Sequence, residues 1–229
     1  MRSQLQFAAI LLLTGAVATN AQIFKHKEKK PKENVEWLWQ YSPPPAEGRE
    51  NALVLDPRFQ PFLAQYLTAP QTFWSQTGPK PKSLADTALD YLSVPGKVIA
   101  DQNRYLSITG CVFRFCSDRG LLFVDLGLPH PLIVFAAINW IQQNKTPDQP
   151  GAEYTLWVFS NNAIDPDHIP AALTHSIARW TAEPTLGSTV LQTITTAILV
   201  DPDGKPQQIK PAAIGANTIE PQTEPKAKL

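Results

Sequence analysis

Tyr105-Leu106-Ser107-Ile108-Thr109-Gly110-Cys111-Val112-Phe113-Arg114-Phe115-Cys116-Ser117-Asp118-Arg119-Gly120-Leu121-Leu122-Phe123-Val124 is the stretch on which the fold turns. From Arg104 to Thr109 the residues alternate, with Leu106 and Ile108 on one face and Tyr105, Ser107 and Thr109 on the other. That is the two-residue period of a strand. Gly120 to Leu126 carries the apolar run Leu121 to Val124 and reads as a returning strand. Cys111 and Cys116 lie between the two and are the only cysteines of the chain. Strand, short loop and strand predict a hairpin whose tip the cysteines flank.

Two cysteines allow one intramolecular bridge. Closing so short a loop removes chain entropy worth on the order of 2 kcal/mol. Its larger effect is local, because it fixes the shape of Val112, Phe113, Arg114 and Phe115. A rigid loop loses less entropy when its side chains meet a partner, so one reading is a recognition device. The other is a structural staple between a strand end and the next turn. Arg114 divides the same way. Its guanidinium could pair with a carboxylate in an acidic cleft while the phenyl rings pack on the cleft wall. Alternatively, the rings turn inward and Arg114 is a solvated turn residue. Asp118 and Arg119, just past the loop, are candidate supports, with Arg119 bracing the loop backbone or pairing with Asp118 or Asp125.

Downstream, Leu132 to Trp140 and Tyr154 to Ser160 read as further strands, separated by the polar segment Gln143 to Gly151. No crossover helix fits between these neighbours, which favours antiparallel pairing. Asp167 to Ala182 has helical spacing, with Ile169, Ala172, Leu173, Ile177 and Trp180 on one side and Asp167 as a candidate cap. Thr189 to Val200 is a strand or mixed segment. Asp201-Pro202-Asp203-Gly204 is a turn signal, and Lys205 to Lys210 returns as a short last strand.

Upstream, Phe59 to Leu67 and Ser83 to Leu92 carry apolar residues at helical spacing. Asp56 before Pro57 fits an N-cap followed by proline. Ser83 with Asp86 resembles a capping box. Pro95-Gly96 is expected to stop the second helix. Trp37 and Trp39 alternate with Leu38 as an edge strand would. The fold class expected is α+β: an antiparallel β-sheet flanked by a few helices, with a disulfide-closed loop between two strands.

The ends read differently. Residues 1–21 have a charged Arg2, an apolar run from Phe7 to Val17 and then small residues, the pattern of a secretory signal peptide cleaved after Ala18 or Ala21. The apolar run is shorter than the ~20 residues of a membrane span. Residues 22–50 read as a flexible leader with the basic run Lys25 to Lys32, residues 51–210 as one domain, and residues 211–229 as a disordered tail. A periplasmic or secreted location follows, where thiols oxidise.

The 229 residues have no formal net charge, so nucleic-acid binding has no electrostatic footprint. The histidines His26, His130, His168 and His175 show no metal-ligand spacing, and there is no C-x-x-C. No nucleophile elbow or phosphate-binding glycine loop occurs. No cofactor and no enzymatic activity are expected. Asp118, Asp125, Asp165 and Asp167 keep open a hydrolase whose acids meet only in space.

The order of exported chain, helix, strand, Cys-x4-Cys loop, nearby arginine and apolar strand resembles the inhibitor of vertebrate lysozyme (Ivy) family over roughly residues 59–160. The resemblance implies an α+β fold on an antiparallel sheet. It also implies a protein partner, a lysozyme-type glycosidase, whose active-site cleft the loop plugs. The family's loop is Cys-Lys-Pro-His-Asp-Cys. Its lysine, proline, histidine and aspartate fall on Val112, Phe113, Arg114 and Phe115, and Arg119 sits one residue closer to the second cysteine than the family's arginine. Arginine, unlike histidine, holds its charge through the neutral range. The alternative is a cell-envelope structural or adaptor protein of the same fold without inhibitory activity, engaging its partner through the basic leader.

Overall fold

The computed structural model describes residues 35–41, 52–70, 82–140 and 146–219. The expected signal peptide and the basic run Lys25 to Lys32 lie outside the described residues.

Seven strands form one sheet in the order of the chain: β1 (Val94–Asp101), β2 (Tyr105–Val112), β3 (Phe115–Asp125), β4 (Leu132–Trp140), β5 (Glu153–Ser160), β6 (Thr193–Val200) and β7 (Pro206–Ile209). Neighbours are antiparallel except β5 and β6, which run parallel. A parallel pair needs a long crossover. Residues 161–192 supply it and contain the helix α3 (Ala171–Thr181). The architecture is α+β, with the disulfide between β2 and β3.

The centre of the sheet is covered on both faces. On one, Leu106, Ile108, Leu122, Val124, Ile133 and Phe135 meet the helices α1 (Phe59–Tyr66) and α2 (Leu84–Tyr91). On the other, Leu121, Phe123, Val134, Leu156 and Leu199 meet Leu173, Ile177 and Trp180 of α3. Successive strand residues point to opposite faces. A strand buried on both sides therefore becomes continuously apolar, and Leu121 to Val124 is such a run.

Ser83 caps α2 as expected, its hydroxyl accepting the Asp86 amide at 3.1 Å. The other two proposed caps are corrected. The Asp56 carboxylate accepts the Arg58 amide at 2.8 Å and closes a turn, leaving Arg58 as the N-cap of α1. Asp167 lies ahead of α3, whose N-cap is Pro170. Proline keeps its predecessor out of the helical region, so the helix starts later than its apolar spacing suggests.

Pro95-Gly96 does not end in a loop. It opens β1, an edge strand with a register shift between Pro95 and Val98, a place where a missing N–H is tolerated.

Both ends of the expected domain are extended. Trp37 and Trp39 lie in a 3₁₀ turn, Glu36–Tyr41, not an edge strand, and Leu38 there is fully buried. The Tyr41 hydroxyl donates to Asp56 at 2.5 Å, and the Trp37 ring meets Phe62 edge-on. At the other end a 3₁₀ turn, Pro211–Ile214, buries Ile214 and Ala216 under α3 and β6. A disordered tail beginning at residue 211 is therefore corrected: proline and alanine there do not preclude packing, because two apolar side chains find a covered site.

Candidate functional site

The β2–β3 hairpin ends in a two-residue turn. Val112 pairs with Phe115, and Phe113 and Arg114 form the tip. Arg114 has φ of 65°, in the left-handed region where a side chain is disfavoured. The next paired positions are Cys111 and Arg119, so Cys116, Ser117 and Asp118 bulge out of β3. The disulfide spans this bulge, with Cα atoms 4.9 Å apart. The tip faces solvent: Phe113 is 65% and Phe115 40% exposed. Arg114 is exposed, with its guanidinium 5.1 Å from the Phe113 ring centroid. Val112 instead is partly buried and packs against the core.

The brace of the tip was not legible in the sequence. The Ser93 hydroxyl, just past α2, accepts the Phe113 amide at 3.0 Å and donates to the Asp90 carbonyl at 2.7 Å. Nothing in the residues around Ser93 signals a bond across twenty positions of chain.

Asp118 and Arg119 are adjacent and diverge. Asp118 accepts from the Asn139 amide at 3.1 Å and from the Tyr91 hydroxyl at 3.4 Å, joining the bulge to β4 and α2. Burial, then the Asp118 charge, pushes the Tyr91 hydroxyl far up. Arg119 pairs with neither Asp118 nor Asp125. It is 5% exposed, and its Nη1 donates to the Glu183 carbonyl at 2.9 Å. Its guanidinium lies 5.3 Å from the Trp180 ring centroid. Its Nε and Nη2 are buried and have no hydrogen-bond partner among the described residues. Burial pushes the group down to about 10, against the opposing pull of Glu183, so it stays a cation at neutral pH.

Arg119 lines the inner wall of a cleft of about 380 Å³ behind the tip. Cys111, Val94, Pro95 and Lys97 form one side, and Trp180 with residues 183–187 forms the other. At its mouth Lys97 pairs with the Glu183 carboxylate at 3.0 Å.

The carboxylates singled out in the sequence take part in separate contacts, Asp118 with Asn139 and Tyr91, the others elsewhere. Asp125 takes the Nε and Nη2 of Arg104 at 2.7 and 2.8 Å. Asp165 faces the His168 imidazole at 2.6 Å and accepts the Asp167 amide at 3.0 Å, in a local turn before α3. His168 is therefore not on the helix that carries His175. Among the described residues no group of three or more His, Cys, Asp or Glu side chains could hold a metal ion, and no helix is long and apolar enough to cross a membrane.

Comparison with family models, curated proteins and solved structures gives no match to the chain.

Proposed function

We propose that the protein is an exported, periplasmic or secreted binding protein and that Phe113, Arg114 and Phe115, at the tip, are its recognition element. One observation carries this reading. A cation and two phenyl rings are held out of the core on a turn that a disulfide closes and the Ser93 hydroxyl braces. An unused apolar side chain ordinarily gains about 1.5–3 kcal/mol by burial, yet Phe113 stays in solvent beside a well-packed sheet. Aromatic and arginine side chains on a rigid projection are the residues that dominate binding energies.

The partner proposed is a lysozyme-type glycosidase, as the likeness of the loop to the Ivy family implies. Arg114 enters the acidic cleft and pairs with a carboxylate, while Phe113 and Phe115 cover the cleft wall. Arginine gives a planar, bidentate contact that does not titrate with the enzyme.

The test is inhibition of cell-wall lysis by a panel of c-type, g-type and bacterial muramidases. The oxidised protein is expected to slow at least one of them. Arg114→Ala is expected to weaken inhibition by about tenfold or more, the loss of a charge-assisted pair, with unfolding unchanged. An Arg114→Ala variant as potent as the parent, or no inhibition across the panel, rejects the plug.

A further inference from the structure

Arg58, Arg104 and Arg119 differ in one respect. Arg58 gives its Nε and Nη2 to Asp56 at 2.9 and 2.6 Å, and Arg104 gives the same two atoms to Asp125 at 2.7 and 2.8 Å. Both use the side-on edge of the guanidinium, whose two parallel N–H groups match the two oxygens of a carboxylate. Arg119 is far more buried, and that edge has no hydrogen-bond partner among the described residues. A buried cation with two unpaired donors is an expensive arrangement for structure alone.

Its surroundings have the make-up of a small-molecule site. The cleft volume of about 380 Å³ falls in the range of such sites. Val94, Pro95, Trp180, Pro184 and Leu186 give it apolar walls, with one buried cation at the base. Lys97 at the mouth already pairs with Glu183, and Glu183 and Asp148 act on the Arg119 charge from a distance without taking a hydrogen bond from its Nε–Nη2 edge.

We propose that this cleft binds a small organic carboxylate with an apolar body, whose two oxygens take the Nε–Nη2 edge of Arg119. The apolar body lies against Trp180 and Leu186. The two nitrogens are shut off from solvent, so the ligand enters as the wall of residues 183–187 gives way. That wall is a turn closed by the Ser188 amide on the Thr185 carbonyl at 3.0 Å, with Leu186 71% exposed at its crest. The site is independent of the tip reading and of any muramidase.

The test is calorimetric titration of the oxidised full chain with hydrocinnamate and with its neutral amide. The parent is expected to prefer the carboxylate by about tenfold or more, the value of a charge-assisted bidentate contact. Arg119→Met keeps the volume, removes the fork and is expected to abolish the preference. Lys97→Ala is expected to leave it in place. In the parent protein the Arg119 Nε–Hε resonance is expected to move on adding hydrocinnamate and not on adding the amide, a readout that does not depend on the variant folding. No binding of hydrocinnamate, equal binding of acid and amide, a preference that survives Arg119→Met, or one lost only in Lys97→Ala overturns the proposal.

Discussion

The Ser93 hydroxyl accepts the Phe113 amide at 3.0 Å and so ties the exposed tip of the β2–β3 hairpin to the end of α2. The same oxygen lies 3.3 Å from the Cys111 carbonyl and donates to Asp90. The tip is thus held at three points: the disulfide, the Val112–Phe115 pair and this serine. Ser93→Ala removes the third. The expected outcome is a modest loss of stability, about 1 kcal/mol, with a larger local effect. Amide exchange at Phe113 should quicken while that at Leu122, in the centre of β3, is unchanged. Equal protection of Phe113 in parent and variant would show that the disulfide alone sets the tip.

Arg114 is kept in left-handed backbone, where glycine is the residue without penalty. A side chain retained there points to the side chain being used. Arg114→Gly and Arg114→Ala both delete the cation, but only glycine relieves the backbone. Glycine is expected to be the more stable of the two by about 1 kcal/mol, in urea unfolding with the disulfide intact. The reverse order would mean that the turn has a different φ in solution.

Much of the sheet was legible because its signals are local. The alternation before Gly110, the apolar run Leu121 to Val124 and the turn Asp201 to Gly204 each declare themselves within a few residues. The parts that position the site are not local. Gly110 and Gly120 are paired across β2 and β3, and a Cβ at either would come within 3.0 Å of the chain at the end of α2, at its C-cap Leu92 and at Tyr91. That smooth seat brings Ser93 under the tip, yet in the sequence Gly110 reads only as a strand end. Arg119 reads as a surface residue beside a loop, and its burial depends on Trp180 and Glu183, sixty residues downstream. The direction of β6 could not be read either. Its residues fit a strand, but whether it returns parallel is decided by where α3 packs.

Asp56 controls an acid-sensitive joint. The Arg58 guanidinium, then the Tyr41 hydroxyl, hold its carboxyl well below the usual carboxylate range. A carboxyl whose folded value is depressed contributes stability above its unfolded value of about 4, and that contribution is lost as pH falls toward the folded value. Asp56→Asn should therefore be clearly less stable than the parent at neutral pH, and the difference should shrink in strong acid. Fluorescence of Trp37, which lies under Arg58 at 4.5 Å, reports the joint. A stability difference that does not change with pH would mean that the carboxylate charge is not what holds the 3₁₀ turn Glu36–Tyr41 in place.

Arg119 and Arg104 should respond oppositely to replacement by an apolar residue. Arg104→Met strands the Asp125 carboxylate, which is almost buried and would keep the Gly127 amide but lose both guanidinium bonds, so the unfolding midpoint should fall. Arg119→Met breaks no hydrogen bond to a carboxylate. It gives up one bond to a backbone carbonyl and the contact with Trp180, and it removes a desolvated charge with two unpaired donors. Exchanging a poorly compensated buried charge for an apolar group of similar volume is often neutral or stabilising. Arg119→Met is therefore expected to lie within about 1 kcal/mol of the parent or above it. Residues that hold a binding site are commonly kept at the expense of stability, so a stable Arg119→Met protein fits a guanidinium retained for a ligand. A loss as large as that of Arg104→Met would instead make Arg119 a structural tie between β3 and the segment after α3.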